Sequence, residues 1–337
     1  MQDLAFIPSE MKRPSLCLSL TSEITTGLGS MSKINQQLQL PSGRRLGYDE
    51  YGARDGTPLF YFHGSPSTRL EWHLFGSDAL ANKLNIRVIV PDRPGLGRSQ
   101  FQPGRRIGDW PDDVLALADH LKLGRFAACG YSGGGPYAAA CALKIPERLT
   151  RVGIVSGTAP FDEPGLSAGI NRANLRFMRL ARTKPWLSRL TLRLMGLIVR
   201  FTPGRFIEGA IATLPAPDQA MLARPDFQQG FITMIREALL AGPRGAQWDT
   251  ALMVSPWGFR PQDIRSAVYL WHGEKDGNAP LAMGRFMADA IPNSRVRFYP
   301  AEGHLSLVSK HIEEILNVLI ASRSGSENPI GTPPVRC

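Results

Sequence analysis

The stretch FAACGYSGGG, residues 126–135, decides the fold of this 337-residue chain. Its first four residues are apolar or small, as in a buried strand, and the Ala-rich segment Gly135–Lys144 that follows has the composition of a helix. Between them lies a Gly-x-Ser-x-Gly motif in which Gly130 and Gly134 leave room for strand and helix to approach closely. This strand–turn–helix setting predicts that Ser132 projects from the end of a sheet as a nucleophile. A glycine-rich turn with an incidental serine is the alternative, and the other motifs decide between the two.

Short apolar runs alternate with helical segments along most of the chain. Such runs, rich in Val, Ile and aromatic residues, suit strands buried on both faces of a parallel sheet. We therefore predict an α/β fold with a mostly parallel central sheet flanked by helices. The predicted strands are Gln36–Leu40, Arg44–Tyr51, Leu59–Phe62, Ile86–Val90, Phe126–Cys129, Val152–Val155, Val268–Trp271 and Val296–Tyr299. Helices between them are predicted at Asp109–Leu121, Gly135–Lys144 and Leu281–Ala290.

The alternation stops between Thr158 and Pro256, where the pattern is mostly helical. A loop of this length without secondary structure would be unusual in a folded domain. Residues 158–255 are therefore predicted to form a helical cap, inserted into a core made of residues 31–157 and 256–323. Residues 1–30 are expected to be a poorly ordered extension. Residues 324–337, rich in Ser, Gly and Pro, are expected to be a flexible tail.

Two further strand ends supply partners for the serine. A serine hydroxyl is a weak nucleophile unless a base removes its proton and an acid orients that base. Asp276 follows the predicted strand Val268–Trp271, and His304 follows the last predicted strand. The carboxyl ends of parallel strands meet at one edge of a sheet, so we predict Ser132, Asp276 and His304 as a catalytic triad. Glu274 is the local competitor for the role of the acid.

Backbone N–H groups are predicted to stabilise negative charge on a reacting oxygen. The N–H of Gly133 lies at the start of the helix after the serine, where an anion is favoured. The loop at residues 63–66 follows the third predicted strand and can aim a second N–H at the same point. We assign that role first to Ser65 and second to Gly64, and expect the histidine of this loop to brace it. The glycine-rich turn Asp92–Ser99 lacks the residue order of a phosphate-binding loop.

Together these motifs resemble the α/β-hydrolase superfamily over roughly residues 36–322, with the predicted cap where that family carries one. The resemblance implies a two-step acyl transfer through an acyl-enzyme, with no metal or organic cofactor. Relatives that open epoxides or remove halide use an aspartate where this chain has Ser132. We expect hydrolysis of a hydrophobic carboxylic ester. Thioesterases, lactonases, amidases, carbon–carbon hydrolases, cofactor-free haloperoxidases and a non-catalytic small-molecule receptor remain open alternatives.

Basic residues are concentrated in the predicted cap. The chain has 39 Lys and Arg against 29 Asp and Glu, a net charge of +10. Between Glu163 and Glu208 there is no acidic residue, and the basic ones are Arg172, Arg176, Arg179, Arg182, Lys184, Arg189, Arg193, Arg200 and Arg205. We favour a solvated basic face over helices that pack on the sheet, with weak membrane-surface contact as the alternative. No nucleic-acid-binding module accompanies this charge, so no nucleic-acid partner is expected.

The substrate pocket and the cellular compartment follow from less specific signals. The aromatic and methionine content of the cap suits an apolar pocket, and we predict Tyr131 and Trp257 as residues that contact the substrate. Four dispersed cysteines show no metal-ligand spacing, and Cys129 and Cys141 are expected in the core. The cysteine usage and the lack of a signal peptide or a membrane span favour a cytoplasmic protein. The sequence does not decide the oligomeric state.

Overall fold

The computed structural model describes residues 32–321. The extension predicted at 1–30 and the tail predicted at 324–337 lie outside the described residues. An eight-stranded sheet forms the centre of the molecule, with the strand order β1-β2-β4-β3-β5-β6-β7-β8. The strands are β1 Lys33–Gln39, β2 Arg45–Gly52, β3 Thr57–Phe62, β4 Ile86–Pro91, β5 Phe126–Tyr131, β6 Leu149–Val155, β7 Val268–Gly273 and β8 Ser294–Tyr299. The predicted α/β fold is confirmed.

Strand directions place the functional loops at one edge of this sheet. β2 pairs antiparallel with both β1 and β4, whereas β4, β3, β5, β6, β7 and β8 are all parallel. Their carboxyl ends therefore lie along the same edge. The strand order reverses at β3, which lies between β4 and β5, and such a reversal opens a crevice beyond the strand ends. The loop after β3 and the turn after β5 border that crevice.

Helices cover both faces of the sheet. Those of the described chain are α1 Trp72–Phe75, α2 Asp78–Lys83, α3 Trp110–His120, α4 Gly135–Lys144, α5 Arg172–Thr183, α6 Pro185–Phe201, α7 Pro203–Ile211, α8 Ala216–Leu222, α9 Pro225–Ala238, α10 Arg244–Met253, α11 Leu281–Ala290 and α12 His304–Ile320. The stretch between β6 and β7, where the sequence predicts the cap, contains α5 to α10 and no strand. Within residues 32–321, no helix combines the length and the apolar character that crossing a bilayer requires.

The sheet separates two hydrophobic clusters. Side chains of a strand alternate between its faces, so Phe60 and Phe62 of β3 belong to one cluster and Leu59 and Tyr61 to the other. The first cluster includes side chains of α3, α4 and α11, and the second includes side chains of α12 and of the helices between β6 and β7. With both faces covered, the parallel strands are buried on both sides, which explains their continuous apolar sequences.

Candidate active site

Ser132 lies in a tight turn between β5 and α4. Its backbone has a φ of 51°, in the left-handed region that residues other than glycine rarely adopt. A Cβ atom at Gly130 would lie 2.4 Å from the carbonyl oxygen of Gly134, and one at Gly134 would lie 2.1 Å from that of Phe62. Strand and helix can approach this closely only because both positions are glycine. The close approach holds the strained turn in place and directs the Ser132 side chain into the crevice.

A chain of hydrogen bonds connects Ser132, His304 and Asp276. The Ser132 Oγ lies 2.9 Å from Nε2 of His304, and Nδ1 of His304 lies 2.7 Å from Oδ2 of Asp276. The other carboxylate oxygen of Asp276 accepts the N–H groups of Asn278 and Ala279, at 2.9 and 2.8 Å. A carboxylate held in this way can only accept, so the ring carries its proton on Nδ1 and leaves Nε2 free to accept the serine proton. The competing acid Glu274 is exposed on the surface.

The electrostatic interactions between Asp276 and His304 favour the charged form of both side chains. Burial opposes ionisation of Asp276, but the adjoining His304, together with His272 and the N–H of Ala279, outweighs it and holds the Asp276 pKa below its ordinary value. Burial likewise opposes protonation of His304, but the Asp276 carboxylate outweighs it and raises the pKa of His304. An imidazolium formed during a reaction would therefore be stabilised by the charge of Asp276.

Asp218 anchors the helix that carries the histidine. This fully buried residue of α8 accepts three backbone N–H groups at the start of α12: those of His304 at 2.8 Å, and of Leu305 and Ser306 at 2.9 Å. A Cβ atom at Gly303 would come within 2.6 Å of its carboxylate, so the glycine before the histidine permits the approach. A carboxylate here caps the helix and complements its positive end. Sequence reasoning missed Asp218 because its partners lie 86 to 88 residues away.

The predicted oxyanion donors lie close together, with one correction. The amide nitrogen of Ser65 is 3.2 Å from the position that a Cβ atom would take at Gly133, so these two residues are neighbours beside Ser132. The N–H of Gly64 instead donates to the carboxyl group of Glu71, at 2.8 and 3.0 Å from its two oxygens. The prediction of Gly64 as a donor is therefore wrong, because a nearby buried acid already occupies its N–H.

Glu71 forms part of the wall of the site and was not found from the sequence. Besides the Gly64 N–H, it accepts a hydrogen bond from the hydroxyl of Tyr61 at 3.1 Å. Burial raises the pKa of Glu71 to about 7, although these hydrogen bonds oppose the shift. The group therefore changes charge near neutral pH, within a few ångströms of Ser132: a Cβ atom at Gly64 would be 3.0 Å from Glu71 and 3.3 Å from Ser132.

A buried ion pair braces the loop at residues 63–66. Arg93, from the glycine-rich turn after β4, donates to the carbonyl oxygens of His63 and Gly64 and pairs with Asp249 of α10 at 2.8 Å. Nε2 of His63 accepts the N–H of Arg93, so its Nδ1 donates to the Gly64 carbonyl. Burial and the charge of Arg93 hold the pKa of His63 well below its ordinary value, which keeps the ring neutral. His63 thus braces the loop, and α10 is coupled to it through Asp249.

A cavity of about 590 Å³ opens above Ser132. Its wall is largely apolar and includes Phe75, Phe177, Met178, Met195, Phe206 and Met234. Tyr131 also lines it, with its ring 5.1 Å from that of His304 and its hydroxyl donating to the His304 carbonyl at 3.3 Å. Two buried hydroxyl oxygens on the wall, those of Ser65 and Thr158, find no hydrogen-bond partner among the described residues. They are available to polar atoms of a ligand.

Trp257 does not belong to this cavity, and its predicted role in substrate contact is wrong. It is 3% exposed and packs against Phe259, with ring centroids 5.6 Å apart. Both residues lie in the hydrophobic cluster shared with α3, α4 and α11. The chain returns to the sheet after α10, so a tryptophan at this point fills the core between the helical segment and β7.

Comparisons with known proteins agree with this architecture. The sequence profile of a family described as alpha/beta hydrolase fold matches residues 57–310. The chain is similar to the dihydrolipoyllysine-residue acetyltransferase component of the acetoin cleaving system of Pseudomonas putida, with 27% identity over 271 residues. That match covers 78% of this chain but 62% of the relative, so the chain spans less than two thirds of that relative.

Two other similar proteins match over nearly their whole length. A 2-hydroxy-6-oxononadienedioate/2-hydroxy-6-oxononatrienedioate hydrolase of Paraburkholderia phymatum is 26% identical over 289 residues, covering 85% of this chain and 93% of the relative. The solved structure of a thermophilic esterase from Thermogutta terrifontis superposes with a TM-score of 0.61 at 25% identity. It covers 85% of this chain and 100% of the esterase chain.

Proposed function

This chain belongs to the alpha/beta hydrolase fold family, and from that premise we propose that it is a serine hydrolase that cleaves a hydrophobic carboxylic ester. The observation that carries the proposal is the hydrogen-bonded series Ser132–His304–Asp276, with separations of 2.9 and 2.7 Å. A nucleophile, a base and an orienting acid within hydrogen-bond reach are what acyl transfer requires.

In the acylation half, Ser132 Oγ attacks the carbonyl carbon of the ester as His304 Nε2 takes the hydroxyl proton. A bond forms between Oγ and carbon, and the carbonyl electron pair moves onto oxygen. The N–H groups of Gly133 and Ser65 donate to that oxyanion. Asp276 stabilises the imidazolium, which then returns the proton to the alcohol oxygen as the ester C–O bond breaks.

In the deacylation half, water replaces the alcohol. His304 takes a proton from water as the water oxygen attacks the acyl-enzyme carbonyl. The tetrahedral intermediate collapses, the bond to Ser132 Oγ breaks, and the imidazolium returns its proton to the serine. The products are one carboxylic acid and one alcohol, and the protein returns to its starting state.

The shape of the cavity supports an apolar substrate. A volume of about 590 Å³ suits a ligand of moderate size, and the wall is mainly aromatic, methionine and aliphatic side chains. Such a wall favours an extended or branched hydrocarbon chain. The free hydroxyl groups of Ser65 and Thr158 offer polar contacts at the reacting end.

Hydrolysis of p-nitrophenyl esters of increasing acyl length tests the proposal. Ser132→Ala should abolish both turnover and labelling by a fluorophosphonate, whereas Ser42→Ala, at an exposed turn, should leave both unchanged. Labelling of the wild-type protein without ester turnover would contradict the ester assignment and direct attention to the second candidate. If the wild-type protein showed no labelling and no ester turnover, the serine-hydrolase proposal would be refuted and a receptor would be favoured.

Carbon–carbon bond hydrolysis of an oxo acid is the second candidate. It is supported by the similarity to the Paraburkholderia phymatum hydrolase over 93% of that protein. It is also supported by Arg205, which lines the cavity and offers a cation to a carboxylate. The candidate would be supported if the wild-type protein caused a loss of absorbance of a 2-hydroxy-6-oxo-dienoate substrate and Arg205→Gln slowed that loss. An unchanged spectrum would refute it.

A further inference from the structure

Helix α6 presents an unusual apolar surface to solvent. Eight large hydrophobic side chains are exposed among the described residues, and six of these belong to this one helix. They are Trp186 at 67%, Leu190 at 45%, Leu194 at 52%, Leu197 at 51%, Ile198 at 44% and Phe201 at 69% exposure. Single exposed apolar residues are ordinary, but a contiguous patch of this kind marks a site of interaction.

The six side chains form one stripe along the helix. Their spacings of one, three and four residues place them on a common face. The residues buried against the rest of the protein, Ser188, Leu192 and Val199, lie on the opposite face. The sequence analysis favoured a solvated basic face on helices that pack on the sheet. In α6 the inward face is narrow, and a wider apolar face also points to solvent.

A row of arginines borders the stripe on one side. Arg189, Arg193 and Arg200 lie between the apolar face and the buried face, by the same helical spacing. Arg193 and Arg200 are exposed, and Arg189 donates to the side chain of Gln247 at 3.0 Å. Across the described residues, no acidic side chain forms an ion pair with any of the nine basic residues of the stretch from 172 to 205. This positive charge is available to an external anion.

The stripe also reaches the cavity above Ser132. Ile198 is exposed and at the same time lines that cavity, and Met195 on the same helix lines it as well. Arg205 and Phe206 of α7 continue the cavity wall beyond the end of α6. An apolar molecule on the outer face of α6 would therefore lie next to the opening.

We propose that α6 docks this protein on an anionic membrane surface. The helix lies in the plane of the interface, with the stripe from Trp186 to Phe201 among the acyl chains and the arginines at the phosphate headgroups. This orientation places the cavity at the lipid surface. Docking stands on its own, whereas the delivery of a lipid-borne ester to Ser132 rests on the proposed function.

Charge favours lipid over a second copy of the chain as the partner of this face. A symmetric contact through α6 would bring the Arg193 and Arg200 side chains of two copies to the borders of one interface. No described acidic residue lies between positions 163 and 208 to neutralise them. An anionic bilayer supplies both the apolar layer and the negative charge.

Vesicle binding tests the proposal with the full-length Ser132→Ala protein, in which lipid hydrolysis cannot interfere. The protein should co-sediment with phosphatidylcholine vesicles that contain phosphatidylserine. High salt, or omission of phosphatidylserine, should weaken this binding. Leu194→Ala with Leu197→Ala should weaken partitioning roughly a hundredfold, about tenfold per leucine. Arg193→Gln with Arg200→Gln should lower binding to the anionic vesicles about thirtyfold. Leu240→Ala, an exposed leucine at 66% outside α6, is the matched control.

Several outcomes would overturn the proposal. One is that the protein with an unaltered α6 does not bind anionic vesicles. Another is that the Leu194/Leu197 variant binds them as well as the Leu240 control does. A dimer in sedimentation equilibrium that the same double substitution dissociates would assign the face to a second copy instead. The same surface variants are also made with Ser132 intact. Their hydrolysis of soluble p-nitrophenyl esters reports folding and the proposed function separately from vesicle binding.

Discussion

Replacing Asp218 by alanine should loosen the helix that carries His304. The substitution removes a buried carboxylate that accepts three N–H groups, those of His304, Leu305 and Ser306, at 2.8 to 2.9 Å. Loss of a helix cap costs about 1 kcal/mol, and each buried donor left unpaired costs about 1–3 kcal/mol. Water entering the vacated space can satisfy part of these groups, so we expect a total loss of about 2–4 kcal/mol in the free energy of unfolding.

The same substitution should change catalysis through the position and pKa of His304. Asp218 is one of the charges that raise the pKa of His304, so its removal should move the acid limb of the pH–rate profile to lower pH. A base displaced from Ser132 should also lower kcat more than it changes KM. Urea unfolding followed by fluorescence gives the stability, and the pH dependence of ester turnover gives the effect on the base.

Two variants separate the contributions of Asp218. Asp218→Asn keeps one acceptor oxygen without the charge, so it should retain part of the stability but shift the pH profile as alanine does. Asp226→Ala, an exposed acid paired with Arg224, should change neither property. The reasoning is refuted if the free energy of unfolding of Asp218→Ala lies within about 0.5 kcal/mol of the wild-type value and its kcat is unchanged. A difference of that size is ordinary for surface substitutions.

Three further substitutions test other parts of the site. Glu71 has a folded pKa of about 7 against an ordinary 4.5, so its burial costs stability as pH rises from about 4.5 to about 7. Glu71→Gln should remove that decline from the urea midpoints, and an identical pH dependence in wild type and variant would show that the pKa of Glu71 is not raised by folding. Asp276→Asn should lower kcat by about 10⁴-fold and lower the pKa of His304 in an NMR titration, and a retained kcat would exclude Asp276 as the orienting acid. Asp249→Ala leaves the guanidinium groups of Arg93 and Arg105 without the counter-charge that they share, and should cost about 3–5 kcal/mol in unfolding experiments. A loss below 1 kcal/mol would mean that water reaches this pair.

The sequence was sufficient for the features that depend on local patterns. Continuous apolar runs such as Val268–Trp271 correspond to strands because parallel strands are buried on both faces, and the structure extends this one to Gly273. The glycines around Ser132 could be interpreted in advance because the sterics of the turn involve residues two positions apart. Asp276 and His304 follow strands whose carboxyl ends meet along one edge, so their placement near Ser132 followed from the topology of a parallel sheet.

The partners of buried polar groups could not be predicted in this way. Glu71 takes the N–H of Gly64, and Asp218 caps the helix of His304 from a segment 86 residues earlier in the chain. No local pattern records which distant segment arrives at a given N–H group. The nearest signal was Gly303, which indicates a close approach without identifying the group that approaches.

Sequence alone therefore determined the strands, the tight turn at Ser132 and the strand ends that carry Asp276 and His304, because each depends on short-range sterics or on alternation along one element. Tertiary structure decided that Gly64 is not a free donor, that Trp257 fills the core and that the apolar stripe of α6 faces outward. The periodicity of α6 shows that the helix is amphipathic, but which face is buried depends on the shape of the surface that receives it, and that surface is built from residues far away in the chain.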